Sequence, residues 1–243
     1  MQVKRRTFSG VVCEQEIYTI PDSTKNIKTA APRLRFKNEE EREQHRLGMS
    51  RRYHARLVNE NFGPSSLYTT LTMDDENEVH TFAEARKIRD NYIRRLRYHC
   101  PEARIMIYMG RGKNTHRIHM HMLSDGVPED ELARQWKYGT VLRTEKLREH
   151  NYYNKKDYGR DYTGLADYLF DHWTKEQGGH RWKQTRNLKK PEVEAPKPVK
   201  RTYSEQKPPK APEGYKLVEV KTTPFGYMYF KYIYEVKKQR LMM

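Results

Sequence analysis

The chain's 243 residues suffice for one well-buried core with extensions and argue against two large domains. Its 48 lysines and arginines outnumber 32 acidic residues, giving a formal net charge of +16, so a polyanion is the natural partner. No apolar stretch approaches the roughly 20 residues that cross a bilayer, and the basic start leads into no signal-peptide core, which sets a membrane partner aside.

Cys13 and Cys100 lack any CxxC pairing, so neither a zinc ribbon nor a disulfide framework is supported, and a reducing cytoplasm fits best. The 18 tyrosines, mixed with Lys and Arg, suit stacking on unpaired bases, although most are expected simply to cover half-buried sheet.

In chain order, residues 7–20 contain strand and lead into the turn-prone PDSTKN. Residues 38–61 open acidic and end basic, the polarity a helix dipole favours, and predict a long polar helix. Together, residues 1–62 form a basic N-terminal extension. After FGPSS, the stretch LYTTLTMDD at 67–75 alternates apolar residues with Thr and predicts a strand. In 81–99, Phe82, Ala85, Ile88, Tyr92, Ile93 and Leu96 recur at helical spacing, so this helix should pack on a sheet.

Pro101 resets the chain, and strands follow at 104–109 and 116–123. The turn GRGKNT between them superficially looks like a phosphate loop, but Ile107 stands where the Walker pattern needs its first glycine. Arg111 and Lys113 in that turn are candidate phosphate contacts. Residues 128–137 predict a short helix, 138–144 a strand, and REHNYYNKKDYGRDYTG a loop. Helical periodicity returns at 164–176 through Leu165, Leu169 and Trp173, with Tyr168, His172 and Lys175 along one flank. The Pro- and Lys-rich 191–212 reads as a linker or a surface-hugging arm, and 213–243 as a β-hairpin docked on the preceding domain.

Within RIHMHMLS, side chains alternate across the strand, so His119 and His121 share one face while Ile118, Met120 and Met122 share the other. Lone histidines on half-buried strands are commonly just polar. Here the pair sits in a basic chain ahead of a helix bearing candidate nucleophiles, which favours a metal site. A divalent ion there would polarise a phosphodiester oxygen. Tyr168, on an apolar-anchored helix, is the candidate nucleophile, and a phosphotyrosine would store the bond for later rejoining without ATP. Arg181, Lys183 and Arg186 follow as candidate DNA contacts, and Trp182 as a stacking or buried residue.

RIHMHML is similar to the His-hydrophobe-His motif of HUH endonucleases, specifically the rolling-circle replication initiators of plasmids and bacteriophages. LYTTLTMDD resembles their Thr-rich first motif, and LADYLFDHWTKE with GGHRWKQTRNL resembles the tyrosine helix and basic segment of phage-type replication-associated proteins. The resemblance covers residues 66–188 and implies a nicking domain over 63–190 with an RRM-like core. It implies a single catalytic Tyr168, His119 and His121 as ligands of Mn2+ or Mg2+, and site-specific cleavage of single-stranded DNA or an origin hairpin. No helicase motif is visible, so a separate helicase would be needed.

The chain departs from that pattern in two places. Asp171 and His172 stand where many members have a lysine, so Lys175 is expected to take part of that role. Residues 105–109 hold no carboxylate, so His172 is the expected third ligand, resembling the ligand on the tyrosine helix of single-tyrosine transposases, with His116 and Asp74 as alternatives. The expected fold class is α+β, a central antiparallel sheet with helices mainly on one face. Alternative functions are an HUH transposase or mobilisation relaxase, or a non-catalytic single-strand-binding module.

Overall fold

A computed structural model describes residues 1–21, 36–112, 115–139, 142–223 and 226–235. In chain order the elements are β1 (Gln2–Ser9), β2 (Val12–Thr19), α1 (Glu39–Asn61), β3 (Leu67–Thr72), α2 (Phe82–His99), β4 (Arg104–Arg111) and β5 (Ile118–Asp125). There follow α3 (Glu129–Gln135), β6 (Leu142–Lys146), β7 (Tyr152–Tyr153), β8 (Lys156–Asp157) and α4 (Thr163–Asp171). The last are β9 (Lys183–Gln184), β10 (Glu192–Val193), β11 (Lys197–Pro198), β12 (Tyr215–Thr222) and β13 (Met228–Tyr234). The architecture is α+β with antiparallel sheets, and no described helix is long and apolar enough to cross a membrane. Two compact units emerge, Tyr53–Glu149 with Tyr162–Lys189, and Met1–Arg52 with His150–Asp161 and Lys190–Met243.

The first of these units, which carries the histidines, is built on a five-stranded sheet in the order β6-β3-β5-β4-β9. β4 is buried along almost its whole length, which is why RIMIYMGR reads as a continuous apolar run rather than an alternation. Ile105, Ile107 and Met109 face α2 and α3, meeting Phe82, Ala85, Tyr92, Leu96 and Leu132. Thr81 and Glu84 start α2 with a reciprocal capping box, satisfying two of its free N–H groups. Met106 and Tyr108 belong to the opposite face, where they join Ala55, Leu57 and Val58 of α1 and Ala166 and Leu169 of α4. Helices therefore lie on both sides, yet Thr70, Thr72 and His119 on the second face remain half-buried.

Several boundaries differ from the sequence reading for local reasons. The strand expected at 7–20 is a hairpin, β1 with β2, folded at Gly10 with φ 56°, a value that glycine adopts freely. β5 starts at Ile118 because His116 turns the chain with φ 56°. β6 starts at Leu142 rather than 138, and the Tyr138 carbonyl instead accepts from the Asp74 N–H at 2.9 Å. α4 stops at Asp171, and Lys175–Gln177 form a separate 3-10 turn. The expected loop holds the small hairpin β7-β8, whose Asn154 and Lys155 have φ 47° and 61°, the two positive values a type I′ turn requires.

In the second unit the hairpins β1-β2 and β12-β13 share one sheet, in the order β10-β1-β2-β13-β12 with β11 also on β1. The C-terminal hairpin thus pairs through β13 with the N-terminal strand β2, and the short strands β10 and β11 within residues 191–212 lie on β1. β2 is buried almost throughout despite carrying Glu14 and Glu16, because their carboxylates find hydrogen-bond partners. Glu16 takes Arg5 at 2.9 Å, Arg52 at 2.6 Å and the Tyr227 hydroxyl at 2.8 Å. Burial alone would raise its pKa; the Arg5 hydrogen bond and the Arg52 charge outweigh that and hold it below the usual value.

Lys231 on β13 meets Asp161 at 2.5 Å, with side-chain exposures of 7% and 4%. Removing one partner of so buried a pair strips the other of its closest counter-charge. Asp161→Asn should therefore destabilise this unit by about 3–5 kcal/mol, read as an earlier transition in urea followed by circular dichroism. An unshifted transition would mean that Lys231 finds another counter-charge or reaches water.

Candidate metal and tyrosine site

The central strand β5 presents the site. His121 lies opposite Thr70 of β3 and Tyr108 of β4, and His119 opposite Thr72 and Gly110. Cross-strand partners point to the same face, so Gly110 leaves an empty position beside His119. That gap is filled by His172, the residue that caps the C-terminus of α4. A Cβ at Gly110 would stand 3.0 Å from His172 Cδ2 and 3.3 Å from His119 Nε2. Gly110→Val should accordingly push His172 aside and weaken divalent-ion binding by roughly tenfold or more without unfolding the sheet, measurable by Co2+ absorption titration.

One ligand atom each from His119, His121 and His172 all lie within 4.8 Å of one another, close enough to hold a metal ion. The rings are crossed rather than stacked, at 82° for His119 with His121 and 76° for His121 with His172. His172 Nδ1 donates to the Tyr168 carbonyl at 2.8 Å, one turn back, so Nε2 is the ring atom it has left for a ligand. Gln177 fixes the end of this helix: its amide donates to the Met109 carbonyl at 2.9 Å and to the His172 carbonyl at 3.0 Å.

Burial chiefly, then the neighbouring His172 and His119, drives the His121 pKa down to about 3. Burial also lowers that of His119, outweighing a hydrogen bond with the Arg117 backbone that raises it. Both imidazoles are therefore neutral at ordinary pH, the form that binds metals. His121 Nε2 is buried with no hydrogen-bond partner. An orphaned nitrogen of that kind costs about 1–3 kcal/mol, and an ion among the three rings would satisfy it. The donor set fits a metal on that ground.

The other nitrogen of His121 is held. Nδ1 lies 2.7 Å from the Tyr68 hydroxyl and 3.3 Å from Thr70 Oγ1, and the Tyr68 ring stacks on the imidazole at 5.6 Å and 11°. Burial is the main reason the Tyr68 phenol is pushed up to about 12, so it keeps its proton. Tyr168 stands at the mouth, 51% exposed, with its ring 4.4 Å from His172 and 5.9 Å from His121.

Other residues marked by the sequence fall elsewhere. His116 sits in the β4-β5 turn, and Asp74 accepts from the Asn77 backbone and side chain at 3.0 and 2.8 Å; neither joins the three histidines. Lys175 opens the 3-10 turn after α4, its side chain outside what the structure describes, and Lys113 lies outside the described residues. Arg111 does not stand free as a phosphate contact: it donates to the carbonyls of His116 and His80 and pairs with Glu176 at 2.7 Å, bracing the turn. The Arg181 guanidinium lies 4.2 Å above Trp173 and 4.5 Å above Phe170. Lys183 and Arg186 are exposed.

Sequence reasoning missed Tyr68, Gly110 and Gln177. Alternation in LYTTLT puts Tyr68 on the same face as Thr70, but only the strand register brings it to His121. Fold and site together define an α+β protein in which two histidines of a sheet strand and one at the end of a helix lie close enough to hold a metal ion, with Tyr168 on that helix beside them. Comparison with family models, with curated proteins and with solved structures finds no match for this chain.

Proposed function

We propose that the chain is a metal-dependent, single-tyrosine DNA nickase and strand transferase that starts rolling-circle replication, in the manner of the HUH endonucleases its motifs resemble. The observation that carries this reading is the half-exposed Tyr168 phenol set on a helix beside three clustered histidines, of which His119 and His121 are held neutral. Three imidazoles without a carboxylate suit Mn2+ better than Mg2+, which prefers an all-oxygen shell. When bound, the ion supplies positive charge to a non-bridging phosphate oxygen as negative charge builds there.

The protein's own residues do the rest. Tyr168 Oη attacks phosphorus; the P–O3′ bond breaks as the Oη–P bond forms, leaving a 5′-phosphotyrosine and a free 3′-hydroxyl. The phenol proton passes to solvent, and the leaving 3′-oxygen takes one up. Reversal by an incoming 3′-hydroxyl rejoins a strand with no external energy. Exposed Lys183 and Arg186, and a chain charge of +16, provide the phosphate contacts of a single strand or origin hairpin. Exposed Tyr152 and Tyr153, on a hairpin with Lys155 and Lys156, suit base stacking. The two free cysteines agree with a reducing cytoplasm, where a separate helicase would open the duplex.

The test is denaturing electrophoresis of a mixed pool of labelled single-stranded oligonucleotides incubated with protein and Mn2+. A slow, protease-sensitive band is expected. Tight binding without such a band on oligonucleotides or supercoiled plasmid would sink the nickase and leave a single-strand-binding module.

A further inference from the structure

We propose that Tyr68 is a positioning residue that bridges the two halves of this site, its hydroxyl joining the metal ligand His121 to the nucleophile Tyr168; the inference rests on the nicking reading above. The protons can be followed one at a time. His121 Nε2 is the orphaned nitrogen and the one left to bind an ion, so Nδ1 carries the ring proton. Its nearest acceptor is Tyr68 Oη at 2.7 Å; Thr70 Oγ1 at 3.3 Å is a longer second choice. With an accepted bond on its oxygen, Tyr68 still has its own O–H to give. The Tyr168 ring lies 5.9 Å from the same imidazole, so its phenol is the neighbour to which the bridge assigns that donor.

Each end of the bridge has a physical consequence. At the ligand end, the hydrogen bond selects the tautomer and fixes the ring, the role an outer partner commonly plays for a metal-bound histidine. At the nucleophile end, a donor aimed at Tyr168 Oη stabilises the oxygen as it sheds its proton and confines a ring that is otherwise 51% exposed. The Tyr68 ring itself is held by its stack on His121, so the bridge is rigid in the middle. The carboxylate that often orients a metal-bound histidine is here replaced by a phenol that reaches one group further.

Tyr68→Phe isolates the hydroxyl, because the ring and its stack remain. Two readouts are needed, on the full chain. Mn2+ affinity of the protein alone, by calorimetry, should fall about 10–100-fold. The rate of covalent adduct formation at saturating Mn2+ should fall by about tenfold even though the ion is bound, since the loss of a donor to a developing anion is not repaired by more metal. A thermal midpoint near that of the wild type confirms an intact fold and separates these losses from a structural one. Wild-type Mn2+ affinity in Tyr68→Phe would overturn the ligand end, and a wild-type adduct rate at saturating Mn2+ would overturn the nucleophile end; either ends the bridge. A wild-type protein that forms no adduct on any strand ends the nicking reading and the bridge with it, a result distinct from equal adduct in both proteins.

Discussion

Tyr168→Phe should abolish the covalent protein–DNA band, lowering adduct formation by at least roughly three orders of magnitude. Only the phenol oxygen is lost. The neighbouring ligand His172 hydrogen-bonds the Tyr168 backbone carbonyl rather than its side chain, so the metal site keeps its geometry in the variant. Mn2+ binding should therefore stay close to wild type while chemistry disappears, and calorimetry beside the denaturing gel checks both. A persistent band would move the nucleophile to another tyrosine. Tyr162 is a poor substitute, being buried with its hydroxyl donating to the Arg148 carbonyl at 2.9 Å. Tyr152 and Tyr153, 70% and 68% exposed, would be the next to replace.

What the sequence revealed of this site follows from which interactions are local. Alternation along RIHMHML put both histidines on one face, and the four-residue spacing of Tyr168 and His172 put them on one helix flank, because strand and helix periods act within a few residues. The meeting of strand and helix was legible only as an expectation about His172, and the three-histidine cluster bears that proximity out. Tyr68, Gly110 and Gln177 were not legible, since each works through register or a contact distant in sequence: Gln177 reaches Met109, 68 residues away. The N-terminal sheet was obscured for a different reason. Its strand β2 hides two glutamates inside, and buried carboxylates imitate a solvent face until Arg5 and Arg52 are seen to pair with Glu16 and the Tyr227 and Tyr229 hydroxyls to donate to Glu16 and Glu14.

His121→Phe should have opposite effects on binding and on the metal-free fold. Losing the central ligand should weaken Mn2+ by roughly 100-fold or more, and adduct formation should fall with it, because two remaining imidazoles cannot hold an ion of this kind against water. Without metal, however, the wild type carries a cost that the variant lacks: a buried Nε2 with no partner, worth about 1–3 kcal/mol. The metal-free variant should match or exceed the wild type in urea at pH 7.

Acid should widen that difference. The ordinary histidine pKa of 6.5 falls to about 3 in folded His121, so between those values the unfolded chain binds a proton that the folded chain refuses. Stability contributed at this position is present above pH 6.5 and is lost as pH falls toward about 3, with a slope of at most about 1.4 kcal/mol per pH unit. Chelated wild type should consequently lose more stability than chelated His121→Phe on going from pH 7 to pH 5, by about 1–2 kcal/mol, and urea midpoints at the two pH values read it directly. Parallel losses in both proteins would mean that His121 titrates normally in the fold. The site would then be wet rather than dry, and His121 would not be held in the neutral form that binds a metal.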